Sequence, residues 1–182
     1  MIVKQTTKDL LGASLRELST TKSIEKITIR EITQNCGLTS TTFYNHFTDK
    51  YDLLVWIYHK QVEKLYARLG NDITWDELLK IGITIMKRNR HFYHNAISNT
   101  SGQDSFQKAA IEYTIRRIKN YVGNQRNDKE LSAEYMYIIH YYVYGLFYSV
   151  KDWIFKPSEM TLNQLVRLLC DSMPESLKKY LH

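Results

Sequence analysis

Apolar positions recur at helical spacing along nearly the whole chain. Leu11, Leu15 and Leu18, at i, i+4 and i+7, predict a first helix over about residues 6–19. Thr28 and Glu31 stand at capping-box spacing between Ile27 and the apolar pair Ile29 and Ile32, which predicts a short helix over 29–36. Gly37 follows where a left-handed residue closes a helix, and Leu38 is apolar enough to plug the space between helices. Thr39 or Ser40 caps a next helix over 40–47, with Phe43 and Phe47 four apart on one face. Downstream, helices are predicted over 51–69, 74–90, 92–97, 105–122, 132–155 and 162–172, with polar loops at 99–104 and 123–129 and a short tail after Pro174. Leu54, Ile57, Tyr58, Gln61 and Leu65 line one side of the first of these, and Phe106, Ala110, Tyr113 and Ile118 point inward from the fourth. Over 132–155 apolar residues wrap most of the way round, which predicts a buried helix. Its Tyr, Ile and Val content would also suit strands, but its length without a turn signal favours helix. The fold class is therefore all-α: a three-helix N-terminal helix-turn-helix domain (1–50) and a C-terminal helical bundle (51–182).

The segment 28–50 carries the most specific chemistry. Opposite Phe43 and Phe47 lie Ser40, Thr41, Thr42, Tyr44, Asn45 and His46. A helix this short is marginal by itself and needs a platform. A merely solvated helix face is usually rich in Lys and Glu, and residues 39–47 contain neither. Hydroxyls, an amide and a phenol suit contacts to phosphates and base edges. Two short helices joined by a tight turn, the second with such a face, are the layout of a unit that enters the DNA major groove.

Thr28, Ile32, Gly37, Leu38, Thr42, Phe43, Tyr44, His46, Phe47 and Lys50 resemble the N-terminal pattern of TetR-family transcription regulators. The resemblance covers about residues 5–55, with Leu15, Leu18 and Ile24 before the motif and Leu53 and Leu54 after it. It implies that Tyr44, His46 and Lys50 contact DNA phosphates, the last from a helix N-terminus. It implies too that Thr28 offers its hydroxyl or amide to the DNA backbone. Ser40, Thr41, Thr42 and Asn45 would then lie nearest the base edges, with Thr39 at the helix cap beside them. Many relatives have Arg or Lys at the position of Ser40 or Thr41, which allows bidentate reading of guanine. This chain has neither, so thymine-methyl contacts by Thr41 or Thr42 and an adenine contact by Asn45 are expected. Cys36, where a small residue is usual, is expected to be a packed thiol. Gly145–Trp153, Met160–Leu169 and Asn89–Ile97 resemble the C-terminal domain of the dihydroxyacetone-kinase operon activator group within that family.

Composition narrows the alternatives. The chain has 182 residues, enough for one sizeable core or two small domains, and only 2 Pro and 7 Gly, which favours helices. Its net charge of +6 suits a polyanion partner, yet residues 1–50 hold seven basic against five acidic side chains, so most of the excess lies elsewhere. Cys36 and Cys170 are far apart, without metal-ligand spacing, and are expected to be reduced in a cytoplasmic protein. Lys4, Lys8 and Asp9 interrupt any N-terminal apolar run, so no leader is expected, and the uncharged stretch Tyr135–Val150 is too short and too polar to span a bilayer. His91 and His94 share helical spacing, but no Cys, Asp or Glu near them completes a metal set. No metal or cofactor is expected. With no phosphate loop, nucleophile elbow or suggestively spaced carboxylate pair, an enzyme is not expected either.

Two helices near 133–155 and 161–172 carry more apolar and aromatic surface than one monomer readily covers, which predicts a homodimer through them. Two-fold symmetry would set two recognition helices on the order of 34 Å apart on a pseudo-palindromic operator. Tyr pairs an apolar ring with a hydroxyl, which suits a small-molecule pocket. The resemblance places Tyr113, Tyr137, His140, Tyr141 and Tyr144 on helices that line such a cavity, with Trp56 on the connecting helix. A packed core or a dimer face uses the same residue types. The expected partners are an operator duplex, a second copy of the chain, and a small-molecule effector or coactivator protein that shifts the connecting helix. A helical protein–protein adaptor that binds no DNA is the alternative from another class.

Overall fold

The computed structural model describes residues 5–100, 105–128 and 130–181. Every regular element among them is helical: α1 (Thr7–Leu18), a 3-10 turn (Ile24–Lys26), α2 (Ile29–Asn35), α3 (Ser40–Tyr44), α4 (Lys50–Tyr66), α5 (Trp75–Arg88), α6 (Arg90–Ser98), α7 (Phe106–Arg126), α8 (Ala133–Phe155), α9 (Leu162–Asp171) and α10 (Glu175–Leu181). None is long and apolar enough to cross a membrane. The chain packs as two compact units. One holds the residues up to Lys60 together with His91–Ala109, and the other holds Gln61–Arg90 together with the residues from Ala110 onward.

In the first unit, local signals set the helix boundaries. Thr6 and Asp9 form a capping box on α1, and Thr28 and Glu31 form one on α2. Gly37 takes φ +70, and the amide of Leu38 returns to the carbonyl of Thr33 at 2.8 Å, closing α2. Leu11, Leu15, Ile24, Ile27, Ile32, Phe43, Leu53 and Leu54 are fully buried. The hydroxyl of Ser14 on α1 donates to the carbonyl of Ile32 on α2 at 2.7 Å inside this core. The third helix is shorter than its sequence pattern predicts. It stops at Tyr44, and after the turn at 45–49 the Asp49 carboxylate caps α4, accepting from the amides of Tyr51 and Asp52, both at 2.8 Å.

In the second unit, α5 packs on α8 and α9. The indole of Trp75 donates to the hydroxyl of Tyr142 at 3.0 Å, and Tyr142 donates to the carbonyl of Leu169 at 3.3 Å, so one buried bridge joins all three helices. Burial pushes the Tyr142 phenol well above its ordinary range, and the group stays neutral. Replacing Tyr142 with Phe leaves the Trp75 N–H buried without its acceptor. The expected cost is about 1–3 kcal/mol, read as a lower thermal midpoint with unchanged oligomeric mass.

Three sequence expectations are corrected here. The segment after Pro174 is the helix α10 rather than a tail. Leu177 and Leu181, four apart, are both buried, and packing supplies what a seven-residue helix lacks by itself. Helix α7 runs through Gly123 to Arg126 instead of ending near Val122. Gly123 is a packing position and not a breaker: a Cβ there would lie 2.8 Å from the carbonyl of Asp128, where the chain folds back after Asn127 at φ +53. Helix α8 is not buried all round. Tyr135, Ile139, Tyr142, Val143 and Phe147 face in, while Tyr137, Tyr141, Tyr144 and Tyr148 face out. Of the predicted loop at 99–104, residues 101–104 lie outside the described residues, as does Lys129 of the loop at 123–129.

Candidate nucleic-acid interface

Helix α3 presents the polar edge that its sequence predicts. Phe43 and Phe47 are buried, with ring centroids 5.8 Å apart, and Phe47 meets Trp56 edge-on at 5.7 Å. With both Phe held inward, Ser40, Thr41, Asn45 and His46 are exposed, and Tyr44 stands out edge-on to Phe43 at 59% exposure. Thr39 is the N-cap, its hydroxyl accepting from the amide of Thr42 at 3.2 Å. The Thr39 and Thr42 hydroxyls also bond each other at 2.9 Å. The Thr42 hydroxyl is therefore engaged, and the freer hydrogen-bonding groups of this edge are Ser40, Thr41, Tyr44, Asn45 and His46.

The neighbouring turn is held by a network that spacing alone does not reveal. The amide and hydroxyl of Thr28 both donate to the Glu31 carboxylate, at 2.8 and 2.9 Å. The Lys22 ammonium donates to the same carboxylate at 2.6 Å. Lys22 first, then the Thr28 amide and hydroxyl, hold the Glu31 carboxyl well below its ordinary 4.5, at about 2. A carboxyl depressed on folding contributes stability that is complete above 4.5 and lost as pH falls toward 2. Wild type is accordingly expected to melt above Glu31→Gln at pH 6, and the gap between their melting midpoints should close between pH 4.5 and 2.

Lys50 sits at the start of α4, half-buried, with its ammonium on the carbonyls of Glu25 at 2.5 Å and Ile27 at 2.8 Å. Burial draws its pKa below the ordinary lysine value. Two of its three N–H groups are engaged, leaving one for an anion. Sequence reasoning assigned no role to Lys26 and Arg30. Both are exposed beside Thr28, and neither forms an ion pair with a described residue. Two basic residues flanking a helix cap were the available signal.

The candidate effector residues are not brought into one pocket. Trp56 belongs to the first unit and packs on Phe47. Tyr113 is buried in the second, its hydroxyl donating to Glu63 at 2.5 Å while Arg117 pairs with Glu63 at 3.3 Å. Tyr137, His140, Tyr141 and Tyr144 line a groove of about 540 Å³ along the outer face of α8. Helix α8 is also one of the two helices expected to carry the dimer contact. Among the described residues no group of three or more His, Cys, Asp or Glu is placed to hold a metal ion.

Residues 12–56 match the model of bacterial regulatory proteins of the tetR family, and residues 74–175 match one described as a transcriptional regulator C-terminal region. Over 87 residues the chain is 23% identical to the HTH-type dhaKLM operon transcriptional activator DhaS of Lactococcus lactis subsp. lactis (strain IL1403). That stretch covers 48% of this chain and 46% of that protein, about half of its length. The solved structure of a dihydroxyacetone kinase operon activator DhaS superposes with a TM-score of 0.68 at 16% identity, covering 98% of this chain and 100% of that one. A TetR transcriptional regulator from Rhodococcus sp. RHA1 gives 0.62 at 16% identity, over 90% and 94% of the two chains. At these identities the structural likenesses establish the fold.

Proposed function

The chain belongs to the TetR family of bacterial transcription regulators, and from that premise we propose that it acts as a homodimer on a pseudo-palindromic operator. The observation that supports DNA binding is the α3 edge, where five hydrogen-bonding side chains are exposed over two buried Phe residues. Tyr44 and His46 hold phosphates, with Lys50 contributing its remaining N–H. Ser40, Thr41 and Asn45 read base edges, and Thr42 adds a methyl contact to thymine. Without a guanine-reading Arg at 40 or 41, the contacted positions are mainly A·T. The second copy docks on the outer face of α8 and on α9. A small molecule or partner protein acting through the residues beyond 60 shifts the balance between DNA-bound and free states, a coupling of ~1–3 kcal/mol in such systems. Repression relieved by the effector is the first reading. Activation is the second, favoured by the likeness to a protein named as an operon activator.

The test is binding to duplex DNA from upstream of the chain's own gene, measured across salt concentrations. Specific binding that weakens steeply with salt is expected. Tyr44→Phe should weaken binding to all sequences alike, by about 1 kcal/mol for one lost phosphate bond. Asn45→Ala should change the preferred base at one position, a discrimination of about 1–3 kcal/mol. A wild type with no salt-dependent binding would point instead to an adaptor, and an operator contacted only at G·C pairs would overturn the base assignment.

A further inference from the structure

Helix α6 lies in sequence well beyond the helix-turn-helix, yet one of its side chains is fastened to it. The Asn95 carbonyl oxygen accepts from the amide of Ile24 at 2.9 Å. Its amide nitrogen donates to the carbonyls of Ser19 at 3.0 Å and Lys22 at 2.9 Å. Asn99 donates to the same Asn95 oxygen at 3.1 Å. A carboxamide has one acceptor oxygen and two N–H donors, and all are matched here to the backbone between α1 and the 3-10 turn. Asp lacks both donors, and Ser cannot span the three groups. A second fastening lies beside it, where the Arg16 guanidinium stacks on the Phe92 ring at 4.6 Å.

The bonded chain does not end at Lys22. Its backbone is held by Asn95, its ammonium holds Glu31, and Glu31 holds the amide and hydroxyl of Thr28 at the start of α2. The next carbonyls along the turn, Glu25 and Ile27, are those that hold Lys50. We propose that Asn95 is a positioning residue for DNA binding, setting the start of α2 through Lys22 and Glu31. It touches no DNA itself. The proposal rests on the DNA-binding reading above and adds a determinant of affinity outside the helix-turn-helix.

The test is a double-mutant cycle on the full chain, with a random-sequence duplex as probe, because phosphate contacts act on any sequence. Asn95→Ala should weaken binding about tenfold, the scale of one or two lost hydrogen bonds. In a Glu31→Gln background, where the relay is already cut, the same change should weaken it less than about twofold. All measurements are made well below each variant's melting temperature, so a side chain that serves only stability would lower the midpoint and leave affinity alone. Equal losses in both backgrounds, or no loss from Asn95→Ala, would overturn the proposal. If Asn95→Ala does not fold, Asn95→Asp replaces it: this isostere keeps the Ile24 bond and loses both donors, and wild-type affinity in it would overturn the proposal as well. A wild type that binds no duplex would overturn the DNA-binding reading itself, which separates the two failures.

Discussion

A chain carrying both Tyr141→Asp and Leu168→Asp is expected to keep its helical content and run at half the mass of the wild type. Tyr141 is 71% exposed and its neighbour Tyr137 is 78% exposed. Tyr137, Tyr141, Tyr144 and Tyr148 are spaced four, three and four apart, which sets them along one side of α8. Leu168 on α9 is 48% exposed, and Met160, just before that helix, is exposed too. A contiguous aromatic and aliphatic patch of this kind marks an interaction surface. In a two-fold dimer each substituted carboxylate recurs in both copies of one self-complementary face, so two substitutions place four charges in it. Because the mutated side chains are exposed, the fold of one chain loses little. DNA affinity should fall by about 10²–10⁴, since two linked readers lose the effective concentration that the proposed dimer provides. Sedimentation of the protein alone and titration with an operator duplex check both halves. A variant that remains dimeric would move the interface elsewhere.

Phe43→Ala should have the largest effect on stability. Phe43 is fully buried, is the one buried residue of the five-residue helix α3, and meets Phe47, which in turn meets Trp56 on α4. Truncating a buried Phe costs about 3–5 kcal/mol, a large part of the ~5–15 kcal/mol that stabilises an ordinary domain. A helix of five residues has no stability of its own to offset that loss. The expected result is a melting midpoint lower by on the order of 10 °C and loss of duplex binding. Tyr44→Phe, on the opposite edge of the same helix, should leave the melting curve unchanged. That contrast separates the side that holds α3 from the side proposed to read DNA.

Much of the helix-turn-helix was legible because its code is local. The Thr28–Glu31 box, Gly37 at φ +70, the Thr39 cap and the Phe43–Phe47 pair each act within four residues. The errors came where packing overrode a local signal. Gly123 stands in mid-helix because the returning backbone at Asp128 needs the space. The segment after Pro174 is helical because Leu177 and Leu181 find a core. Tyr113, expected to point inward, is buried against Glu63, whereas Tyr141, on a helix expected to be buried, faces out.

By itself the sequence determined an all-helical regulator, the family to which it belongs, and the polar edge of α3. Helical periodicity, caps and turns are properties of neighbours along the chain. Tertiary structure alone decided which of those side chains are free to bind. It joined Lys22 to Glu31, placed Lys50 on two carbonyls, and tied the turn before α2 to Asn95, 71 residues beyond Ile24. A hydrogen bond needs its partner within about 3 Å, and no pattern of spacing reveals which distant residue the fold will bring that close.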